Sequence, residues 1–471
     1  MIGALILFAI TYVLMLTFSQ YRPYIALGSA LVFIVTGMLP IGNILGEIDF
    51  NVLMMIAGTM GLVQLFIDSK MPALLADLLM SRVSNIRMAA VALSLFAGVI
   101  SAFVDNVATV LMIAPVALEI CKKLKQNPVP FLIAIAVSSN LQGAATLVGD
   151  TTAIMLGGAL DMTFFDFFWY EKRPGMFFIV ELGAILSALI VFFLFRKDKD
   201  PIPKLQTRTK VTDYMPTILL GGVVGLLVIV SFFRDALGEG WVANNINGLL
   251  CMALFLIGWM YNVAKARNLK AQAERAAKGE SLYYDNPDGS SQDIAVPVQA
   301  PSVPLSATPV KDAFIAPLKG IDFQTLGLLL GLFLMIGGIK NMGVIDEAAN
   351  LLVKLGGGNV FLLFTVIVWF SVFISAFIDN IPYVATMIPI IGALAITMDI
   401  NPTLLYFGLL CGATLGGNCT PVGASANITA IGILRRDGYE VKNKDFFRIG
   451  IPFTLAAITP AYILLWLFYG I

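Results

Sequence analysis

The chain has 471 residues, of which 58% are hydrophobic and 13% charged, with a formal net charge of zero. So little polar surface excludes an ordinary soluble domain of this length, and the balanced charge gives no sign of a nucleic-acid partner. With no histidine, His metal sites, His proton relays and Ser-His or Cys-His catalysis are excluded; no phosphate-loop motif offers an ATP motor, and no enzyme is expected.

The opening stretch MIGALILFAITYVLMLTF reads as a first span and not as a removed signal peptide, since it lacks a basic leader and a small-residue cleavage site. Further spans are predicted near 24–41, 50–67, 129–160 (interrupted), 178–195, 215–233 and 245–264. After them comes a hydrophilic segment, 265–320. It starts basic (Lys265, Arg267, Lys270, Arg275, Lys278) and turns Pro-rich (Pro287, Pro297, Pro301, Pro304, Pro309). That composition predicts a flexible linker. Spans resume near 322–340, 403–433 (interrupted) and 449–470. Runs of about 18–22 apolar residues suffice to cross a hydrocarbon layer of about 30 Å.

Two apolar stretches, 88–121 and 360–395, are each broken in the middle by an Asp-Asn pair and are read as re-entrant hairpins. The predicted fold class is therefore an all-α polytopic membrane protein with about ten spans plus two re-entrant hairpins. The amphipathic segments 71–82 and 344–355, which precede the hairpins, read either as surface-lying helices or as interfacial loops. The four cysteines, Cys121, Cys251, Cys411 and Cys419, read as small buried apolar residues. For Cys419 a soft metalloid-ligand role is a second reading.

Of the 30 Lys and Arg, all but Lys172, Arg173, Arg234, Lys340 and Lys354 fall in loops that this layout places on one side. The positive-inside tendency makes that side cytoplasmic. Both termini then lie outside and 265–320 inside, in a bacterial or archaeal plasma membrane.

The two hairpins are copies. SAFVDNVATVLMIAPV (101–116) matches SAFIDNIPYVATMIPI (375–390) at an offset of 274, and GAATLVGDTTAI (143–154) matches GNCTPVGASANI (417–428) at the same offset. IDF at 48–50 matches IDF at 321–323, offset 273. An odd number of predicted spans separates the copies, so the second is inverted. Inverted repeats with broken helices are the architecture of secondary transporters, with the site near the midplane.

Irregular backbone in lipid is costly unless it lines a cavity or is buried in protein. The breaks supply glycines (Gly143, Gly149, Gly417, Gly423), hydroxyls (Thr146, Thr420, Ser425), Asn427 and one charge, Asp150, whose repeat mate is Ala424. Asp105 and Asp379 are intramembrane carboxylates, for which ion or proton coupling is the default reading. Asn106 and Asn380 read as helix caps that also contact substrate or ion. Na+ is the candidate coupling ion at Asn106, Asn380 and the adjacent carbonyls, and no other cofactor is expected. The layout leaves no Lys or Arg within the membrane. It therefore favours a neutral oxyacid, a weakly charged anion or a cation as substrate.

Through the two DN segments, ATLVGDTTAIMLG (145–157) and GATLGGNCTPVGASANITAIGI (412–433), the chain resembles the ion transporter superfamily over nearly its whole length. The nearest branch is that of arsenite/antimonite permeases, with the melanosomal P protein, silicon efflux transporters and, more distantly, sodium/proton antiporters. The resemblance implies an elevator-type carrier and a homodimer. It implies scaffold parts at 1–67, 178–264, 321–342 and 434–471, and transport parts at 68–177 and 343–433. It carries binding roles to Asn106 and Asn380 at the tips and to Thr146, Gly149, Thr420, Gly423, Ser425 and Asn427 in the breaks. The chain departs from the branch after Asp150, where Thr151, Thr152 and Ala153 replace the common Pro-Pro-Asn, and at Cys419 and Pro421. The expected function is coupled transport of an arsenite-like or silicic-acid-like species, driven by H+ or Na+. Sodium/proton antiport is the alternative, with dicarboxylate symport and a passive channel behind it.

Overall fold

Several helices start at a capping Asp or Asn, and these starts repeat. The computed structural model describes residues 1–198, 200–202, 209–211, 213–238, 240–278, 281–284, 294–297 and 310–471. The first half contains α1 (Ile2–Thr17), α2 (Arg22–Val35), the short α3 (Ile44–Glu47), α4 (Phe50–Asp68), α5 (Met71–Met80), α6 (Ile86–Ser101), α7 (Asn106–Lys123), α8 (Val129–Gln142), α9 (Thr151–Ala159) and α10 (Met176–Leu194). The strands β1 (Trp169–Tyr170) and β2 (Arg173–Pro174) pair between α9 and α10. The second half contains α11 (Met215–Phe233), the short α12 (Trp241–Asn244), α13 (Ile246–Ala277), the paired strands β3 (Ser281–Tyr284) and β4 (Ile294–Pro297), and α14 (Val310–Lys319). It continues with α15 (Phe323–Asn341), α16 (Val344–Gly356), α17 (Val360–Ser375), α18 (Asn380–Met398), α19 (Thr403–Gly416), α20 (Ser425–Arg436) and α21 (Asn443–Tyr469).

The starts of α4 and α15, and of α5 and α16, lie 273 residues apart; those of α6/α17, α7/α18, α8/α19 and α9/α20 lie 274 apart. The IDF motif is a cap. Asp49 accepts from the Val52 N–H at 2.9 Å, and Asp322 accepts from the Gln324 and Thr325 N–H groups at 3.0 and 3.1 Å. Both satisfy donors that a helix start leaves free. Asn85 and Asn359 cap α6 and α17 in the same paired way.

The copies interlock crosswise: α4 packs on α13, and α15 packs on α2. Both contacts need glycine. A Cβ at Gly58 would lie 2.5 Å from the Cys251 backbone, and one at its mate Gly331 would lie 2.6 Å from the Ala26 backbone. Small residues that let helix backbones touch are the usual means of association in lipid, where apolar burial gives little drive.

By length and composition, seven helices among the described residues can cross a membrane, or nine if each of two bent pairs counts as one span. The bent pairs are α1 with α2 (116°) and α16 with α17 (114°). The arm α6 has 16 residues, about 24 Å of helix, too short for a full span and suited to a re-entrant arm. The interrupted spans at 129–160 and 403–433 are the broken pairs α8/α9 and α19/α20. The ends of 265–320 differ from the flexible linker expected there. Helix α13 continues to Ala277, and α14 occupies Val310–Lys319, held on α13 by Trp259 Nε1 to Phe314 O and Asn262 Nδ2 to Ala313 O, each 2.9 Å. The basic residues that signalled a linker lie on a helical extension. The Pro-rich stretch at 298–309 lies outside the described residues.

Candidate functional site

Each hairpin turns at an aspartate. Asp105 caps α7, one carboxylate oxygen accepting from the Val107 and Ala108 N–H groups at 3.0 and 3.2 Å. Asp379 caps α18 through the Ile381 N–H at 3.3 Å. Asp150 caps α9, its two oxygens accepting from the Thr151 N–H (2.7 Å) and the Thr152 hydroxyl (3.1 Å). The fourth helix of the set, α20, begins after Ala424 and has no side-chain cap.

These four N-termini converge on one cavity of about 240 Å³. Asp105, Asn106, Asp150, Asp379, Asn380 and Ser425 all line it. Its remaining wall comes from α4 (Met60, Val63, Gln64, Ile67) and from the α14–α15 turn (Lys319, Gly320, Asp322, Thr325). A helix N-terminus carries about half a positive charge. Three of the four are met by a carboxylate of the chain itself, and that of α20 is left open.

The other residues singled out from sequence lie behind this wall. The Thr146 hydroxyl donates to Ala102 O, and the Thr420 hydroxyl to Ala376 O, so each break is tied to the turn of its own hairpin. Gly149 and Gly423 sit in the crevice these bonds close. A Cβ at Gly149 would meet the carbonyl oxygens of Gly143, Ala102 and Ser101 at 2.7–3.0 Å; one at Gly423 would meet those of Gly417, Ser375 and Ala376 at 2.6–2.9 Å. Asn427 is fully buried and donates to Gly417 O and Thr420 O, both at 3.0 Å. Asn380 accepts from Ser375 Oγ at 2.6 Å. The breaks thus bring carbonyls of the broken helix and of its hairpin turn together around Gly149 and around Gly423. Cys419 is half-buried and is not part of the cavity wall. The other three cysteines are buried, as small apolar residues.

Two features were not read from sequence. The first is a buried amide chain. Asn106 Nδ2 donates to Asn140 Oδ1 (2.9 Å); Asn140 Nδ2 donates to Thr414 O (2.7 Å) and to Asn418 Oδ1 (3.1 Å); Asn418 Nδ2 donates to Val137 O (2.9 Å). Asn140 and Asn418 are fully buried. Offset 274 makes Thr414 the repeat mate of Asn140, so the local two-fold axis runs between α8 and α19. The polar SSN at 138–140 inside an apolar run was the available signal. Asn140→Ala orphans buried partners on both sides of this axis. It is expected to destabilise the protein by about 3 kcal/mol, read as a lowered thermal unfolding midpoint in detergent.

The second feature bears on the expectation that no Lys or Arg lies within the membrane: besides Lys319 on the cavity wall, a second cation reaches an aspartate of the site. Arg22 Nη1 lies 3.0 Å from Asp379 Oδ2. Helix α1 stops at Thr17 and α2 starts at Arg22 itself. The arginine is therefore the first residue of a helix and not part of a loop, and its Nε is braced on Met15 O at 3.3 Å.

Comparison with known proteins gives a consistent picture. Residues 9–266 and 298–470 match the family described as citrate transporter (CitMHS). The chain is 31% identical to a 46 kDa membrane protein of Mycobacterium leprae over 373 residues, which is 78% of this chain and 74% of that protein. It is 27% identical to the human P protein over 466 residues, covering 88% of this chain and 52% of that one. Among solved structures, the Alcanivorax borkumensis YdaH transporter superposes with a TM-score of 0.54 at 14% identity, over 91% of this chain and 87% of that one; this likeness concerns the fold alone.

Proposed function

The chain belongs to the citrate transporter family, within the ion transporter superfamily, and from that premise we propose that this membrane transporter is a secondary active carrier of a small anion or oxyacid, driven by H+ or Na+. One observation carries the reading: four helix N-termini face one cavity, three are capped by aspartates, and the fourth is open. The uncapped N-terminus of α20 suits an oxyanion or a polarised hydroxyl of the substrate. The aspartates suit the coupling cation. Lys319 on the cavity wall removes the objection that a negatively charged substrate would meet only carboxylates.

In this reading the two hairpins and the two broken helices move as one body past α1, α2, α4, α13 and α15. A site with its carboxylates charged and unpartnered crosses poorly, because an ionised group in mid-bilayer costs about 3 kcal/mol on insertion scales. Cation and substrate together remove that barrier, which couples their movements. Sodium/proton antiport is the second reading. It is favoured by the excess of carboxylates over ion-paired cations, with Asp105 and Asp150 lacking any ion pair among the described residues.

The test is purified protein in liposomes with an internal pH dye and an imposed pH gradient. Na+ is added alone, then arsenite, silicic acid, citrate and simple oxyanions in turn. A response to one of the latter supports the carrier; collapse of the gradient by Na+ alone supports the antiporter; silence to all overturns both. In the same assay Asn106→Ala and Asn380→Ala are each expected to raise the half-saturating concentration of cation or substrate about tenfold, the loss of one charge-assisted contact. The caps predicted for these two asparagines are made by Asp105 and Asp379 instead, so unchanged values would leave Asn106 and Asn380 only their structural bonds with Asn140 and Ser375.

A further inference from the structure

Asp105 and Asp379 are repeat mates at equivalent helix starts, yet the structure treats them differently. Asp105 places both of its N–H contacts on one oxygen, Oδ2, and its other oxygen has no hydrogen-bond or ion-pair partner among the described residues. Asp379 uses Oδ1 for the cap and commits Oδ2 to Arg22 at 3.0 Å and the Ser425 hydroxyl at 3.4 Å. The second tip already holds a cation, and that cation belongs to α2. The α1–α2 unit touches the same hairpin again, where the Tyr12 hydroxyl donates to Pro382 O at 2.6 Å and pairs with the Thr386 hydroxyl. The first tip has no comparable tie among the described residues: α4 faces it across the open cavity.

We propose that Arg22 is a tethered cation that fills the second hairpin tip in place of a transported one, fastens that tip to α2 in the conformation seen, and leaves the coupling cation to bind at the first tip, on Asp105 and Asp150. An arginine guanidinium stays charged at any working pH. Asp379 is therefore neutralised whenever the pair is closed, and it is exposed only when the hairpin moves away from α2. The two halves then divide the work, the first tip sensing the cation and the second tip sensing position. The cation assignment rests on the transporter reading above; the tether does not.

The tether is tested without transport. A full-length protein with its four cysteines replaced by Ala receives one probe, Met60→Cys, on the α4 wall of the cavity. Its reaction with a membrane-impermeant maleimide is timed in permeabilised membranes. Arg22→Gln is expected to slow labelling about fivefold, Arg22→Lys to stay within about twofold of the parent, and Asp379→Asn to match Arg22→Gln without adding to it. Parent-like labelling in Arg22→Gln, or additive effects of the two neutralising variants, would overturn the tether. The cation assignment is tested in liposomes, where flux against coupling-cation concentration is expected to give a Hill coefficient near one. A coefficient near two that Asp379→Asn lowers would overturn it. Absence of any coupled flux would sink the transporter reading, and with it the cation assignment, while the labelling result would still decide the tether.

Discussion

Asp150→Asn is expected to reduce coupled transport by about 100-fold while leaving the protein folded. Asparagine caps a helix about as well as aspartate, and the Thr152 hydroxyl can turn to accept from an amide, so the start of α9 survives the change. The charge does not. Asp150 is the carboxylate with no acidic counterpart in the other copy, because Ala424 stands at the matching position. Its charge is what a cation must neutralise before the site crosses. An ionised group in mid-bilayer costs about 3 kcal/mol, and tenfold in rate corresponds to about 1.4 kcal/mol; the neutral variant loses that barrier, so its cation-free site crosses about 100-fold more readily and coupling falls by that factor. Measured in liposomes, the residual flux should no longer respond to the cation gradient. Near-parental flux that still follows the gradient would exclude Asp150 from coupling.

Gly149→Ala and Gly423→Ala form the second prediction. Each new methyl group would press on three backbone carbonyl oxygens at 3.0 Å or less, and backbone cannot turn aside as a side chain can. The hairpin turn must retreat from the broken helix, taking Asp105 and Asn106, or Asp379 and Asn380, with it. A displacement near 1 Å at such a site costs about 100-fold in rate. Gly221→Ala, where an added Cβ meets nothing within 4 Å, should leave flux unchanged and serves as the control. Full activity in both breakpoint variants would show that tip and break need not touch during transport.

The frame of the molecule was readable from the sequence because it is written twice. The matched IDF and DN motifs mark the helix starts, and cap chemistry explains why. An aspartate or asparagine ahead of an apolar run fixes a start locally, so Asp49, Asn85, Asp105 and their mates signal it one segment at a time. Glycines in the breaks were equally readable, since irregular backbone needs them. The same reliance on local pattern hid Arg22. Only the packing of α2 on α15 and the depth of the second hairpin bring it to Asp379, 357 positions along the chain. Residue 22 therefore passed as a loop charge. Asn140 was hidden for the opposite reason. Comparing the copies rewards likeness, and Asn140 aligns with a threonine. The extension of α13 to Ala277 escaped because a basic, polar segment reads as a linker unless its helical continuity is followed.

The contact between Asn140 and the carbonyl of its own repeat mate has a consequence for how such a molecule arises by duplication. On a two-fold axis a residue meets its duplicate. Two identical asparagine side chains reaching for one another's backbone would compete for the same space, and two threonines would leave the amide of Asn106 without its acceptor. Likeness can be kept everywhere in a fused pair of halves except along the line where they touch. Once one copy carries the amide and the other the shorter side chain, the halves cease to be interchangeable. A molecule assembled from two second halves would keep its hairpins but lose both the Asp150 cap and the Asn140 bridge.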